Sequence, residues 1–105
     1  MNKTLKTKDY ILRIILDNRT KLSFFGVKKI GLFGSFVRGE QTFTSDVDIL
    51  IDFFPEKHTF DNFMDVSFFL EDLLGCKVDL VTSKSLSPHI GPYILKEVEF
   101  VTLAA

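Results

Sequence analysis

The sequence predicts an α/β fold of the α+β type: a small mixed β-sheet flanked by helices, in a single domain spanning residues 1–105. Three observations predict this fold. Short apolar strand patterns alternate with two amphipathic helix patterns. A length of 105 residues suits one domain. Hydrophobic residues make up 46% of the chain, which is enough to build a core.

The first elements are a helix, a strand and a short turn. Apolar residues recur at helical spacing from residue 9 to about residue 25, and Gly26 is placed to end this helix. Residues 29–33 are a short apolar strand candidate. Residues 36–40 predict a helical turn ended by Gly39, and residues 42–45 a loop.

The middle of the chain predicts a second strand and a second helix. Residues 46–53 alternate in polarity and Pro55 stops them, as expected for a strand. Residues 59–74 have helical periodicity, with Gly75 after their end. The predicted apolar face of this helix comprises Phe60, Phe63, Met64, Ser67, Leu70 and Leu74.

The last third is less regular. Residues 77–82 predict a third strand, and residues 83–92 have a loop-like composition. A short helical turn near residues 94–97 leads into a last strand at about residues 99–103.

Composition and charge exclude several classes of function. The net charge is −1 and no basic stripe is evident, so neither direct nucleic-acid binding nor membrane binding is expected. Cys76 is the only cysteine, which rules out an internal disulfide and favours a reducing compartment. Nothing resembles a secretion signal or a membrane span, so we expect a cytoplasmic protein.

The most informative segment is GLFGSFVRGEQTFTSDVDILIDF, at residues 31–53. Residues two apart on a strand point to the same face, so Asp46 and Asp48 present adjacent carboxylates. Both stay ionised comfortably only with cations between them, and Mg²⁺ binds one or two carboxylates together with phosphate oxygens. The pair therefore predicts a metal site for two-metal phosphoryl chemistry.

A turn before this strand supplies groups that suit a phosphate. Gly34 lets the backbone approach an anion closely, and the Ser35 hydroxyl adds a donor. Arg38, one turn later, can direct a charged fork at a phosphate oxygen or pair with an acidic neighbour. Four fixed positions would match by chance in a chain of this length on the order of one time in a thousand.

A third carboxylate would complete a catalytic metal's shell and help to deprotonate the acceptor. Asp79 is the candidate, because its strand could pair beside residues 46–53. Asp52 shares the face of Asp46 and Asp48, but it lies roughly 13 Å along the strand from Asp48, too far for a shared ion.

These residues resemble the signature of the DNA polymerase beta-like nucleotidyltransferase superfamily, which is Gly-Ser, ten residues, then Asp-x-Asp. GSFVRG, SDVDILI and KVDLVT are similar to its minimal nucleotidyltransferase branch, and the match extends over about residues 28–101. Val37 stands where Ala is usual, a change of packing that removes no functional group.

The resemblance implies a role for each matching residue. Gly34 and Ser35 would hold the triphosphate of the nucleotide. Asp46 and Asp48 would hold two Mg²⁺ ions, while Asp79 would hold the catalytic ion and act as the base.

The resemblance also implies a partner. Members of this branch are commonly antitoxins that transfer AMP from ATP to a tyrosine of a HEPN-domain RNase toxin. The acceptor would dock as a separate chain and form a hetero-oligomer, and a surplus of twelve Phe residues is consistent with this. We treat docking along the Phe-rich helix at residues 59–74 as a hypothesis.

Two other functions remain open. A non-catalytic antitoxin or accessory subunit would bind a nucleotide, or nothing, and neutralise its partner by docking alone. An enzyme acting on RNA ends or small molecules is disfavoured by the missing basic stripe. His58 and His89 lack neighbours at metal-ligand spacing and are taken as surface residues, and Cys76 as a small buried residue.

Overall fold

A computed structural model describes residues 5–103, so residues 1–4 and 104–105 of the predicted domain lie outside the description. Five helices and four strands follow one another along the described residues, together with 3₁₀ turns at Pro55–Lys57 and Ser83–Ser85. In chain order they are α1 (Lys8–Asp17), α2 (Arg19–Phe24), β1 (Val27–Phe33), α3 (Ser35–Arg38), β2 (Val47–Phe53), α4 (Phe60–Leu74), β3 (Val78–Thr82), α5 (Gly91–Glu97) and β4 (Glu99–Val101).

The four strands form one mixed sheet in the order β3-β2-β1-β4. β1 pairs antiparallel with both β2 and β4, whereas β2 and β3 are parallel and joined through α4. A parallel pair needs such a crossover, because the chain must return to the end at which β2 began. The predicted small mixed sheet flanked by helices is confirmed.

The core lies between one face of this sheet and the long helices. Alternate residues of β2 are fully buried and contact apolar residues of α1 and α4, as the period of two predicts. The core is built mainly from Ile11, Ile15, Leu22, Ile30, Leu32, Val47, Ile49, Ile51, Val66 and Leu70. The other face of β2 carries Asp48 and Asp52, which are partly exposed, on either side of the buried Leu50.

The first helix differs from the prediction, since α1 and α2 replace one helix over residues 9–25. The break falls at Asn18, whose φ and ψ are −110° and 18°. The Asn18 side chain donates to the Ile14 carbonyl oxygen at 2.8 Å, in competition with the helical backbone. Gly26, at φ +88°, allows the chain to turn directly into β1, which begins two residues earlier than predicted.

The second long helix is confirmed with its predicted ends. Thr59 caps α4 by accepting from the Asn62 N–H, and Gly75 adopts the left-handed conformation after it. The predicted apolar face was wrong at its first residue, because Phe60 is 76% exposed. The buried face comprises Val66, Leu70 and Leu74, and Val66 was absent from the prediction.

The C-terminal segment is more helical than predicted. α5 begins at Gly91 rather than near residue 94, with Pro92 in its first turn, where proline needs no helical hydrogen-bond partner. β4 is shorter than predicted and ends at Val101. None of the helices within residues 5–103 is both long enough and apolar enough to cross a bilayer.

Candidate active site

The Gly34-Ser35 turn lies directly at the end of β1, as the sequence predicts. Gly34 has φ +80° and ψ −152°, a conformation that L-residues with a Cβ rarely adopt. This geometry reverses the chain within one residue, so that α3 starts at Ser35. The Gly34 carbonyl oxygen then accepts from the N–H groups of Val37 and Arg38, and Gly39 ends the turn at φ +73°.

Asp48 and Asp79 lie side by side on parallel strands. They are register partners between β2 and β3, so their Cα atoms are separated by about the 4.8 Å spacing of neighbouring strands. The predicted pairing of the strand that carries Asp79 beside the strand that carries Asp48 is confirmed. Asp48 is half-buried, whereas Asp79 is exposed to solvent.

The electrostatic environment of Asp48 is unfavourable to its charge. Burial, followed by the negative charges of Asp79 and Asp46, raises the pKa of Asp48 to about 6 from its ordinary value of 3.8. Arg38 opposes this shift, and Glu97 adds to it. Carboxylates held close together with little compensation from cationic side chains form a donor set that suits a divalent cation.

Gly34 and Asp48 are in close contact. A Cβ at position 34 would overlap the Oδ2 atom of Asp48. The absence of a side chain at Gly34 therefore allows the Gly34-Ser35 turn to lie against the Asp48 carboxylate. The Gly-Ser turn and the Asp-x-Asp strand thus form one site. This contact joins the two halves of the sequence motif.

Asp46 precedes β2 and lies at the edge of this group. Its Oδ2 atom is 4.0 Å from Nζ of Lys77, which precedes the neighbouring strand. Within residues 5–103, no three or more acidic, histidine or cysteine side chains converge closely enough to hold a metal ion. Asp46 nevertheless lies near enough to Asp48 to raise its pKa. Asp48 and Asp79 therefore fit a metal by their chemistry and lie side by side, whereas Asp46 is turned towards Lys77.

Arg38 is held between two acidic residues. Its Nε donates to Glu40 at 2.8 Å and its Nη1 donates to Glu97 at 2.9 Å, so both bonds raise the pKa of the guanidinium above its ordinary value. The pairing with an acidic neighbour that the sequence left open for Arg38 is therefore present, with two partners, and the Arg38 side chain remains 48% exposed. Since a guanidinium has five N–H donors, most of them remain open to a further ligand.

Glu97 is the residue that sequence reasoning missed. Its second oxygen accepts from the Gly34 N–H at 2.7 Å. The two residues are 63 positions apart, and no spacing or motif in the sequence connects them. Only the packing of α5 and β4 against β1 brings Glu97 to the turn.

The remaining candidates lie elsewhere. Asp52 accepts from the N–H and the hydroxyl of Ser83 and has a structural role at the far end of β2. His58 and His89 are exposed, as expected. Cys76 is partly buried against the core rather than fully buried.

Comparison with known proteins identifies the family. A model of the nucleotidyltransferase domain matches residues 7–102. The chain belongs to this nucleotidyltransferase family. The protein adenylyltransferase MntA of Thermococcus cleftensis is 49% identical to it over 77 residues, which cover 73% of this chain and 77% of that protein.

Solved structures agree with this assignment. A candidate minimal nucleotidyltransferase superimposes with a TM-score of 0.69 at 29% identity, covering 84% of this chain and 93% of that one. The complex of a tri-AMPylated Shewanella oneidensis HEPN toxin with an MNT antitoxin includes a chain with the same fold, with a TM-score of 0.60 at 20% identity and coverage of 85% and 70%. The nucleotidyltransferase thus has the predicted fold, in which its Gly-Ser turn and paired carboxylates lie together.

Proposed function

We propose that this nucleotidyltransferase transfers AMP from ATP to a tyrosine hydroxyl group of a partner HEPN-domain toxin, and so acts as its antitoxin. The observation that carries the proposal is the contact of the Gly34-Ser35 turn with Asp48, beside Asp79. This arrangement brings groups suited to a triphosphate next to carboxylates suited to a metal ion. The name of the Thermococcus relative supports adenylyl transfer to a protein.

The positions of the residues support a role for each of them. Gly34 and Ser35 would receive the triphosphate, and the open N–H groups of Arg38 would contact a phosphate oxygen. Asp46, Asp48 and Asp79 would hold two Mg²⁺ ions, which would neutralise charge on the phosphates and lower the pKa of the attacking hydroxyl. For Asp46 this role requires its side chain to turn away from Lys77.

The chemical step is an in-line displacement at the α-phosphorus of ATP. The acceptor hydroxyl oxygen forms a bond to this phosphorus, the bond between the phosphorus and the bridging oxygen breaks, and pyrophosphate leaves. Asp79 would accept the hydroxyl proton, and its exposure and its position beside Asp48 support this role. Solvent exposure of Asp79 also leaves room for an acceptor side chain that belongs to another protein.

Exposed aromatic residues support docking of a partner. Phe60 and Phe68 of α4 are 76% and 60% exposed, and further large apolar side chains are exposed elsewhere on the surface.

Replacing Phe68 with Glu should weaken partner binding at least tenfold, because an aromatic contact would be exchanged for a buried charge. Affinity can be measured by titration calorimetry. Equal affinity in Phe60→Glu, Phe68→Glu and wild type would contradict docking through α4.

Label transfer tests the proposal itself. Purified protein, Mg²⁺ and α-labelled ATP are added to the product of the neighbouring gene, with Asp48→Asn as the inactive control and Asp52→Asn as the matched control on the same strand. Label on the partner with wild type and Asp52→Asn, and none with Asp48→Asn, is the expected result. Neutralisation of the partner that survives in Asp48→Asn without label would instead favour the docking-only antitoxin.

A further inference from the structure

Glu97 lies where two parts of the site meet. It is the last residue of α5, and only 22% of its side chain is exposed. One carboxylate oxygen accepts from the Gly34 N–H at 2.7 Å, and the other accepts from Nη1 of Arg38 at 2.9 Å. A single side chain therefore joins the glycine turn to the guanidinium.

This contact is maintained against an electrostatic cost. The charge of Glu97 contributes to the raised pKa of Asp48, so the two carboxylates repel each other. Short bonds from a backbone N–H and a guanidinium to a carboxylate are stronger than neutral ones, and they offset this repulsion. If Glu97 only filled space, a neutral residue at this position would avoid the repulsion from Asp48.

The backbone of Glu97 is restrained on both sides. The Val98 N–H donates to the Ile94 carbonyl oxygen at 2.9 Å, and Glu99 pairs with Leu32 of β1. A Cβ at Gly31 would overlap the Val98 side chain, so the segment lies directly against β1. The carboxylate is thus carried by a segment that the sheet holds in place, which favours a support over a mobile group that a ligand displaces.

We propose that Glu97 is a positioning residue, which orients the Gly34 turn and Arg38 to receive the triphosphate of the nucleotide. Glu40 holds Arg38 from its other side through Nε, so the guanidinium presents its remaining N–H groups in a fixed direction. The inference rests on the proposed function, because it assumes that this turn binds a triphosphate. It extends that function by making Glu97, at the end of α5, part of the support of the nucleotide-binding turn.

Glu97→Gln is the test variant, and Glu99→Gln is its matched control. Glu99 lies two residues away and also pairs with a basic residue, Lys8 at 3.0 Å. Binding of Mg²⁺ with a non-hydrolysable ATP analogue is measured by titration calorimetry on the full chain. We expect Glu97→Gln to raise the dissociation constant roughly tenfold, because a charge-assisted bond to Arg38 is lost, and Glu99→Gln to leave it unchanged.

A double-mutant cycle separates positioning from a general loss of structure. If Glu97 acts through Arg38, Glu97→Gln has a clearly smaller effect in an Arg38→Ala background than in wild type. Equal effects in the two backgrounds would overturn the proposal. So would a dissociation constant that stays the same or falls in Glu97→Gln, since a fall would identify Glu97 as a competitor of the phosphate.

A second readout needs no nucleotide. The Gly34 amide proton should shift upfield and exchange faster in Glu97→Gln than in Glu99→Gln, because a neutral amide oxygen is a weaker acceptor than a carboxylate. An unchanged Gly34 amide signal would contradict the positioning role. Wild type that binds the analogue but labels no partner would refute the proposed function alone, whereas wild type that binds no analogue would refute both proposals.

Discussion

The two ends of β2 place an aspartate on the same face of the sheet in opposite circumstances. Asp52 receives two hydrogen bonds from Ser83, at 2.8 Å from the hydroxyl and 3.3 Å from the backbone N–H. Asp48, four residues earlier, faces Asp79 and Asp46, and its pKa is raised to about 6. Among residues 5–103, no comparable donor satisfies Asp48.

The difference separates a structural carboxylate, Asp52, from the proposed metal ligand, Asp48. A half-buried acid that has its own donors stabilises the fold, and it needs no ligand. An acid of similar burial that faces other acids costs stability, and such a group is expected where a cation or a reacting group binds. We therefore expect the same residue type on the same strand to have two roles, because the two side chains have different neighbours.

The largest expected difference is between the variants in which each aspartate is replaced by asparagine. Asp48→Asn should lower the rate of AMP transfer by at least about a thousandfold, because it removes charge from the proposed metal site while keeping the shape. Asp52→Asn should retain the rate to within a few-fold but lower the thermal midpoint, because its bonds from Ser83 weaken. Single-turnover label transfer and thermal melts measure the two effects. Equal rates in the two variants would remove the distinction.

Two glycines with positive φ, Gly34 and Gly39, provide a second contrast, at the two ends of α3. Gly34→Ala should weaken nucleotide binding by roughly a hundredfold, since its Cβ would overlap Asp48. Gly39 lies in the left-handed region at φ +73° and ψ 22°, and no atom lies within 4 Å of the Cβ that Gly39→Ala would add. Gly39→Ala should therefore cost only about 1 kcal/mol of stability and leave nucleotide binding unchanged. Titration calorimetry together with denaturant unfolding measures the two effects.

The smallest expected effect concerns the pH dependence of stability without metal. Because the folded pKa of Asp48 lies above its ordinary value, the ionised carboxylate destabilises the folded state above pH 6, and this cost fades as the pH falls from 6 towards 4. Asp48→Asn has no such cost. Its metal-free thermal midpoint should exceed that of wild type by a few degrees at pH 8, after allowance for solvent screening, and match it near pH 4.

The corresponding control adds the metal. Mg²⁺ should raise the midpoint of wild type and leave Asp48→Asn nearly unchanged, because a ligand stabilises only a fold that binds it. A wild-type midpoint that falls between pH 6 and 4 relative to Asp48→Asn would contradict the raised pKa.

Elements that depend on neighbouring residues could be predicted from the sequence alone. The period of two in β2 placed Asp48 on the face opposite Val47, Ile49 and Ile51. Thr59 and Gly75 marked the ends of α4 through capping chemistry. Gly34 marked the turn after β1, because glycine adopts a positive φ more readily than other residues. These features depend on neighbours a few positions away, which the sequence displays directly.

Features that depend on distant residues became visible only in the folded chain. The packing of α4 left Phe60 exposed although its spacing indicated burial. The strand order placed Asp79 beside Asp48, and the docking of the C-terminal segment brought Glu97 to Gly34. Asp48 and Asp79 are 31 positions apart, and Gly34 and Glu97 are 63 positions apart. Such contacts leave no local pattern in the sequence, because they arise from the free energy of packing the whole chain.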